Sequence, residues 1–172
     1  QAYLLRATSA LERGDYASAG ADASKSIATG SAPALAYYVE GYAHYNQKQY
    51  SSAYRSFEAF TSRAGQDESL RRADALARMG DCLLIQKKSA EALALYRRAD
   101  EGMPSGSDEA LYRVATIYGR WGQYPKQIET LDRIIKTHPQ STHLPEVLYD
   151  KGRALVLSKA RAEQATAVFD EL

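Results

Sequence analysis

Few side chains in this sequence are of a type that does chemistry on a bound molecule. The histidines are His44, His138 and His143, and the one cysteine is Cys82. A metal ion between His138 and His143 would need further ligands, and only Asp132 and Glu146 stand near enough in the chain to supply them. Without them the pair reads as part of a polar loop beside Pro139. His44 reads as a partly buried, hydrogen-bonded side chain. A lone cysteine makes neither an intrachain disulfide nor a Cys-based zinc site. Cys82 follows Gly80 by two positions on an apolar stripe and reads as a small buried hydrophobe. The chain has no Gly-x-Ser-x-Gly, no glycine-rich phosphate loop and no His-Glu-x-x-His. The acidic pairs Asp67-Glu68 and Asp108-Glu109 stand where helices should begin and complement the helix dipole there. The sequence therefore predicts no catalytic residue, no metal site, no cofactor and no enzyme.

Recognition chemistry is better represented. There are 13 Tyr against 3 Phe and 1 Trp, more amphipathic aromatic surface than a core requires. Tyr38, Tyr42 and Tyr45 are spaced i, i+4, i+7, a ladder along one helix face. Tyrosine joins a large, stiff contact area to a hydroxyl, which is why it is enriched at interfaces. Two readings stand side by side: the ladder lines a binding surface, or it packs against the next helix. Charge narrows the partner. With 22 basic and 21 acidic side chains the net charge is +1, so no nucleic-acid partner is expected, because phosphate binding draws on a basic surface. No apolar run approaches the ~18 to 20 residues of a membrane span.

The elements that must position these residues repeat along the chain. In Ala75–Pro104 a first stripe runs Leu76, Met79, Gly80, Leu83 and Leu84 at helical spacing. After a polar turn, Gln86 to Ser89, a second stripe holds Ala92, Tyr96 and Ala99, and Pro104 closes the unit. Ser89 is expected to cap the second helix. Small residues mark where two antiparallel helices come close. Equivalent units carry Ala7 with Ala19 and Ala23, Gly41 with Ala53 and Phe57, Ala115 with Leu131, and Gly152 with Ala165 and Phe169. The second-helix positions Ala19, Ala53, Ala92, Gln127 and Ala165 lie 34, 39, 35 and 38 residues apart, with Gln127 where alanine is expected. The fifth turn, Ser158 to Ala162, should be one residue longer. Helices are expected at 2–13, 15–29, 33–47, 50–63, 67–86, 89–102, 108–121, 124–137, 144–158 and 162–172. Asp15 should cap the second of these. Pro33 and Pro145 are tolerated in first turns, and no segment alternates with the period of a strand. Arg6, Glu40 and Lys151, each just before a small residue, are expected to snorkel at the packing edge.

The small residue in the first helix, Ala-x3-aromatic in the second and the closing proline resemble the tetratricopeptide repeat (TPR), whose period is about 34. The resemblance covers five units, 2–30, 33–64, 67–104, 108–139 and 144–172, in a single solenoid domain over 1–172. It implies an all-α fold: a right-handed superhelix of about five antiparallel helix pairs, first helices inside, second helices outside. In that family first-helix residues beside the packing stripe line a concave groove. Here these include Tyr38, Tyr42, Tyr45 and Asn46, then Asp81, then Tyr112, Thr116 and Arg120, then Tyr149 and Arg153. Arg113, Arg120 and Arg153 would make the far end basic, suited to an acidic or C-terminal carboxylate ligand. The Lys and Asn of the chaperone-type carboxylate clamp are missing, since Leu4, Thr8, Tyr38 and Tyr42 stand at the corresponding positions. The resemblance implies a non-enzymatic scaffold that binds a protein or peptide. The alternative is a structural spacer or self-association segment of a longer array. A base-reading helical repeat of similar period would need a basic groove, which the charge balance argues against. From Leu111 onward the units look like those of bacterial envelope-associated proteins, which points to the periplasm or the outer membrane. The chain reads as a piece of a longer protein.

Overall fold

The computed structural model describes residues 1–102, 107–158 and 168–169. All regular structure among them is helical: α1 (Ala2–Glu12), α2 (Tyr16–Ala28), α3 (Ala34–Asn46), α4 (Tyr50–Arg63), α5 (Ser69–Ile85), α6 (Ser89–Glu101), α7 (Asp108–Arg120), α8 (Tyr124–Thr137) and α9 (Leu144–Leu157). The fold class is all-α, and the helix periodicity located nearly every boundary to within a residue or two. The largest departure is α5, expected from 67. Gln66–Glu68 forms a separate 3-10 turn, and Asp67 and Glu68 lie in it rather than in the first turn of the helix. Pro104, the turn Ser158 to Ala162 and the helix expected over 162–172, apart from Val168 and Phe169, lie outside the described residues. No described helix is long and apolar enough to cross a membrane.

The chain divides into two compact units, Gln1–Leu95 and Tyr96–Leu172, with the boundary inside α6. Within the first, α1 to α5 pack each on the next, and α1 also meets α3 and α3 meets α5. Within the second, α7 packs on α8 and α8 on α9. The core follows from the small residues. Ala7, Ala10, Ala19, Ala23, Val39 and Ala43 form one buried cluster, and Leu111, Ala115, Leu131, Ile134 and Val147 form another. Gly41 lies against the buried ring of Phe57, and Gly152 against the ring of Phe169.

Four helix pairs are joined by one turn type. The second residue after each first helix is left-handed: Gly14 (φ 74°), Lys48 (φ 61°), Lys87 (φ 63°) and Gly122 (φ 68°). The next amide bonds back five residues at 2.9 Å in every case: Asp15 to Ala10, Gln49 to His44, Lys88 to Leu83 and Gln123 to Tyr118. This is the Schellman closure, which satisfies carbonyls the helix end leaves open. Asp15 then caps α2 by accepting from the Ser18 amide at 3.1 Å. Ser89 does not cap α6. It is already helical, and Lys88 precedes it, its carbonyl accepting from the Ala92 amide at 3.0 Å. Pro33 likewise stands just outside α3, in the cap position. Asp108 and Glu109 stand in the first turn of α7 as expected, and Ser107 caps it by accepting from the Ala110 amide.

Arg6, Glu40 and Lys151 do not snorkel; each meets a polar partner on a second helix. Arg6 pairs with the buried Asp22 at 3.0 Å, and Lys151 with Asp132 at 2.7 Å. Glu40 accepts from Ser24 at 2.6 Å and Ser56 at 2.9 Å. At this position each charge finds a partner on a neighbouring helix; in the Arg6 pair it is Asp22 that is buried, and the exposed guanidinium offsets the cost of burying that carboxylate.

Candidate binding site

The tyrosine ladder on α3 meets a second ladder on α5. Asp74, Arg78 and Asp81 have the same i, i+4, i+7 spacing, and the two series face each other. The hydroxyls of Tyr38 and Tyr42 both donate to Asp74 Oδ2, at 2.8 and 2.5 Å, and that of Tyr45 donates to Asp81 Oδ2 at 3.1 Å. Arg78 bridges the acids, with Nη1 2.6 Å from Asp81 and Nε 3.6 Å from Asp74. Behind the hydroxyls the rings pack on the core, Tyr38 with its centroid 5.0 Å from Phe60 and Tyr42 5.3 Å from Phe57. Burial, reinforced by the Asp74 charge, raises the ionisation of Tyr38 and Tyr42 well above the ordinary tyrosine value. Burial with the charge of Asp81 beside it pushes the Cys82 thiol up to about 12, so Cys82 is a packed side chain and not a poised nucleophile. Tyr38, Tyr42 and Tyr45 are thus half-buried with their hydroxyls engaged. Asn46 is exposed and donates to the Tyr42 carbonyl at 2.9 Å. Asp81 is buried in its pair with Arg78.

The second unit repeats the device once. The Tyr112 hydroxyl donates to Asp150 Oδ2 at 3.2 Å, and Arg153 donates to Oδ1 of the same carboxylate at 3.2 Å. Burial and the charge of Asp150 push Tyr112 up to about 12. On its other side Tyr112 stacks on His143, rings 5.5 Å apart and 11° from parallel. His143 belongs to the α8–α9 connection, where Ser141 donates to Asp108 Oδ2 at 2.6 Å. Burial acts to raise the Asp108 carboxyl. The hydrogen bonds from Ser141 and the Glu109 amide, with the nearby His138 and His143, outweigh it and hold the group below the usual carboxylate range. Among the described residues no three His, Cys, Asp or Glu side chains converge as metal ligands would.

Beside this device opens a pocket of about 260 Å³, lined by Thr116, Gly119 and Arg120 of α7, Tyr124 and Gln127 of α8, and Asp150, Arg153, Ala154 and Leu157 of α9. It brings together three of the residues expected to bind: Thr116, Arg120 and Arg153. Tyr149 is exposed, its ring 6.2 Å from that of Phe169 with Arg153 over its other neighbourhood at 5.8 Å. A larger hollow of about 380 Å³ opens between α6, α7 and α8. Its cations are engaged within the fold: Arg97 donates to the Tyr118 hydroxyl, Lys126 lies over the Tyr118 ring at 5.6 Å, and Arg133 pairs with Asp100 at 2.7 Å.

Two residues of this hairpin, both lining the pocket, have exchanged sizes. In the earlier hairpins a large first-helix residue stands eight positions before a second-helix alanine: Leu11 and Ala19, Tyr45 and Ala53, Leu84 and Ala92. In the fourth the pair is Gly119 and Gln127. The Gln127 carboxamide lies across Gly119, where a β-carbon would stand 2.7 Å from Nε2 and 2.8 Å from Oε1. The departure at Gln127 is visible in the sequence. Its partner was missed, although the constant interval of eight points to Gly119. Asp74 and Arg78 were missed too, although they repeat the ladder spacing 36 residues on.

No protein-family profile matches the chain, and no curated protein does. Solved structures do. MamA superposes with a TM-score of 0.81 at 17% identity, over 98% of this chain and 86% of that one. YrrB, a TPR protein with an unusual peptide-binding site, gives 0.78 at 20% identity over 98% and 81%. The C-terminal part of a TPR repeat-containing protein from Cytophaga hutchinsonii gives 0.79 at 19% identity over 95% and 60%. The chain has the tetratricopeptide-repeat fold.

Proposed function

We propose that this chain is a non-enzymatic scaffold that holds an extended peptide or partner segment against its first-helix faces. The observation that carries the reading is the α7–α9 pocket, where an exposed guanidinium, a second one paired with Asp150 and a carboxamide line one opening. The similarity to YrrB, itself described by a peptide-binding site, supports the class of ligand. The units from Leu111 onward resemble those of bacterial envelope proteins, and we place the chain's work in envelope assembly on that ground. A signal sequence or lipid-attachment motif in the full reading frame tests the location.

The binding reading is tested with an array of short synthetic peptides of varied composition, probed with labelled chain. Wild type should retain a subset reproducibly. Thr116→Arg, which places a long side chain in the pocket mouth, should lose most of that subset while melting as wild type does. An array with no retained peptide, or an unchanged pattern for the variant, overturns it.

A second reading has an observation of its own. Leu5 on α1 is 71% exposed, and Tyr3, on another face of the same helix, is 41% exposed. Together with the internally engaged tyrosine ladder, they fit a segment that associates with further repeats. Under that reading Leu5→Glu abolishes a concentration-dependent increase in sedimentation coefficient, and a wild type that stays monomeric at every concentration removes it.

A further inference from the structure

The α7–α9 pocket is lined by a carboxamide that no side chain of the described residues engages. Gln127 is 7% exposed. Its side chain lines the pocket, its carboxamide makes no hydrogen bond among the described residues, and its amide atoms are not closed off from solvent. Such a group keeps its donors and acceptor available to a ligand. The neighbouring charges point the same way. Asp150 is already used twice, accepting from Tyr112 and from Arg153. Arg120, exposed at the rim, has no partner among the described residues. Two guanidiniums and one carboxylate leave the pocket with a single unmatched positive charge.

We propose that this pocket is a subsite for one acidic residue of a bound peptide, with its carboxylate on Arg120 and its adjoining peptide group on the Gln127 carboxamide. A carboxamide presents one acceptor and two donors, so it pairs with both the N–H and the C=O of a peptide group. A guanidinium meets a carboxylate through two parallel hydrogen bonds. Gly119 is what allows it: any side chain there would push the Gln127 amide out of the wall. The subsite rests on the peptide-binding reading above and adds the chemistry of one residue to it.

The test is a titration of the whole chain followed by NMR at the Gln127 side-chain amide. The probes are N-acetyl-glutamate N-methylamide, its glutamine counterpart and N-acetyl-alanine. The glutamate probe should give a saturable shift. The glutamine probe should bind at least about tenfold more weakly, the loss expected for one charge-assisted hydrogen-bond pair. N-acetyl-alanine binding as well as the glutamate probe would assign the carboxylate to a chain end; binding well below it would assign it to a side chain. Arg120→Gln should reduce glutamate-probe affinity about tenfold and leave the glutamine probe unchanged. The double variant Gly119→Leu with Gln127→Ala restores the size order of the other hairpins. It should fold and lose the shift-detected binding, read at the Thr116 amide. Equal affinity for the acidic and neutral probes, inorganic phosphate binding as tightly as the glutamate probe, or unchanged affinity in the double variant overturns the subsite. If peptides on the array are held equally by wild type and the double variant, the scaffold reading stands and the subsite falls. If the array retains nothing while the glutamate probe saturates, the scaffold reading falls and the subsite falls with it, the pocket being left as a site for a free acidic molecule.

Discussion

A β-carbon built on Gly41 would stand 2.7 Å from both Cδ1 and Cε1 of Phe57, a ring with no exposed surface. The ring also packs edge to face with Tyr42, whose plane lies at 90° to it. Gly41→Ala gains about 1 kcal/mol of helix propensity and loses more to overpacking, so a net destabilisation of about 1 to 3 kcal/mol is expected. Gly20→Ala is the control, because its nearest neighbour is Ala43 Cβ at 3.3 Å, and it should be close to neutral. Thermal unfolding decides: a melting temperature for Gly41→Ala at or above wild type would mean that the ring steps aside.

The paired ladders of α3 and α5 make Asp74 the shared acceptor of two hydroxyls. Asp74→Ala should destabilise by about 1 to 3 kcal/mol, since two half-buried donors lose their partner at once. Tyr42→Phe should cost less, about 1 kcal/mol, because Asp74 keeps Tyr38 and Arg78. Denaturant midpoints of the two single variants and the combined one form a cycle. A combined loss equal to the sum of the singles would show that the two groups do not act on each other.

High pH should unfold the protein. Tyr38, Tyr42 and Tyr112 ionise at higher pH in the fold than in the unfolded chain, where tyrosine titrates near ~10. Their contribution is therefore complete below that pH and is lost as pH rises through the folded values. Melting temperature followed upward from neutral pH should stay level and then fall, with phenolate absorbance from these residues appearing only as the helices melt. The Tyr38→Phe, Tyr42→Phe double variant should fall less steeply. Asp108 has the opposite sign: held below the usual carboxylate range, it contributes above ~4, and that contribution is lost as pH drops through its folded value.

Lys48 and Lys87 occupy left-handed turn positions that Gly14 and Gly122 fill in the neighbouring hairpins. A side chain there costs roughly 1 to 2 kcal/mol, and glycine returns part of that as lost chain entropy. Lys48→Gly and Lys87→Gly should each stabilise by about 0.5 to 1 kcal/mol, or roughly 1 to 4 °C in Tm for a chain of this size. A lower melting temperature for either would show that the lysine side chain itself contributes to the turn.

Helix positions were legible because apolar spacing and small residues report directly on packing between chain neighbours, and Tyr50–Arg63 and Tyr124–Thr137 lie where the pattern placed them. What the pattern does not carry is which polar groups meet. The spacing of Tyr38, Tyr42 and Tyr45 reads the same whether they face a ligand or a helix. Asp74 is what engages two of their hydroxyls from α5, and Asp74 looks like any surface acid until the two helices are brought together. Arg6, Glu40 and Lys151 were misread for the same reason: snorkelling is the outcome for a charge with no partner, and the partners Asp22, Ser24, Ser56 and Asp132 sit on other helices. Gln127 announced itself as an exception, but an exception in one column explains little until the compensating glycine in another is found.

The exchange between Gly119 and Gln127 alters neither helix length nor turn, so it is a local trade that leaves the rest of the hairpin indifferent. The same trade written into another repeat, with Tyr45→Gly beside Ala53→Gln, would relocate an open amide along the array without redesigning the backbone. Under the proposed subsite, specificity would be portable, a matter of which rung holds the traded pair.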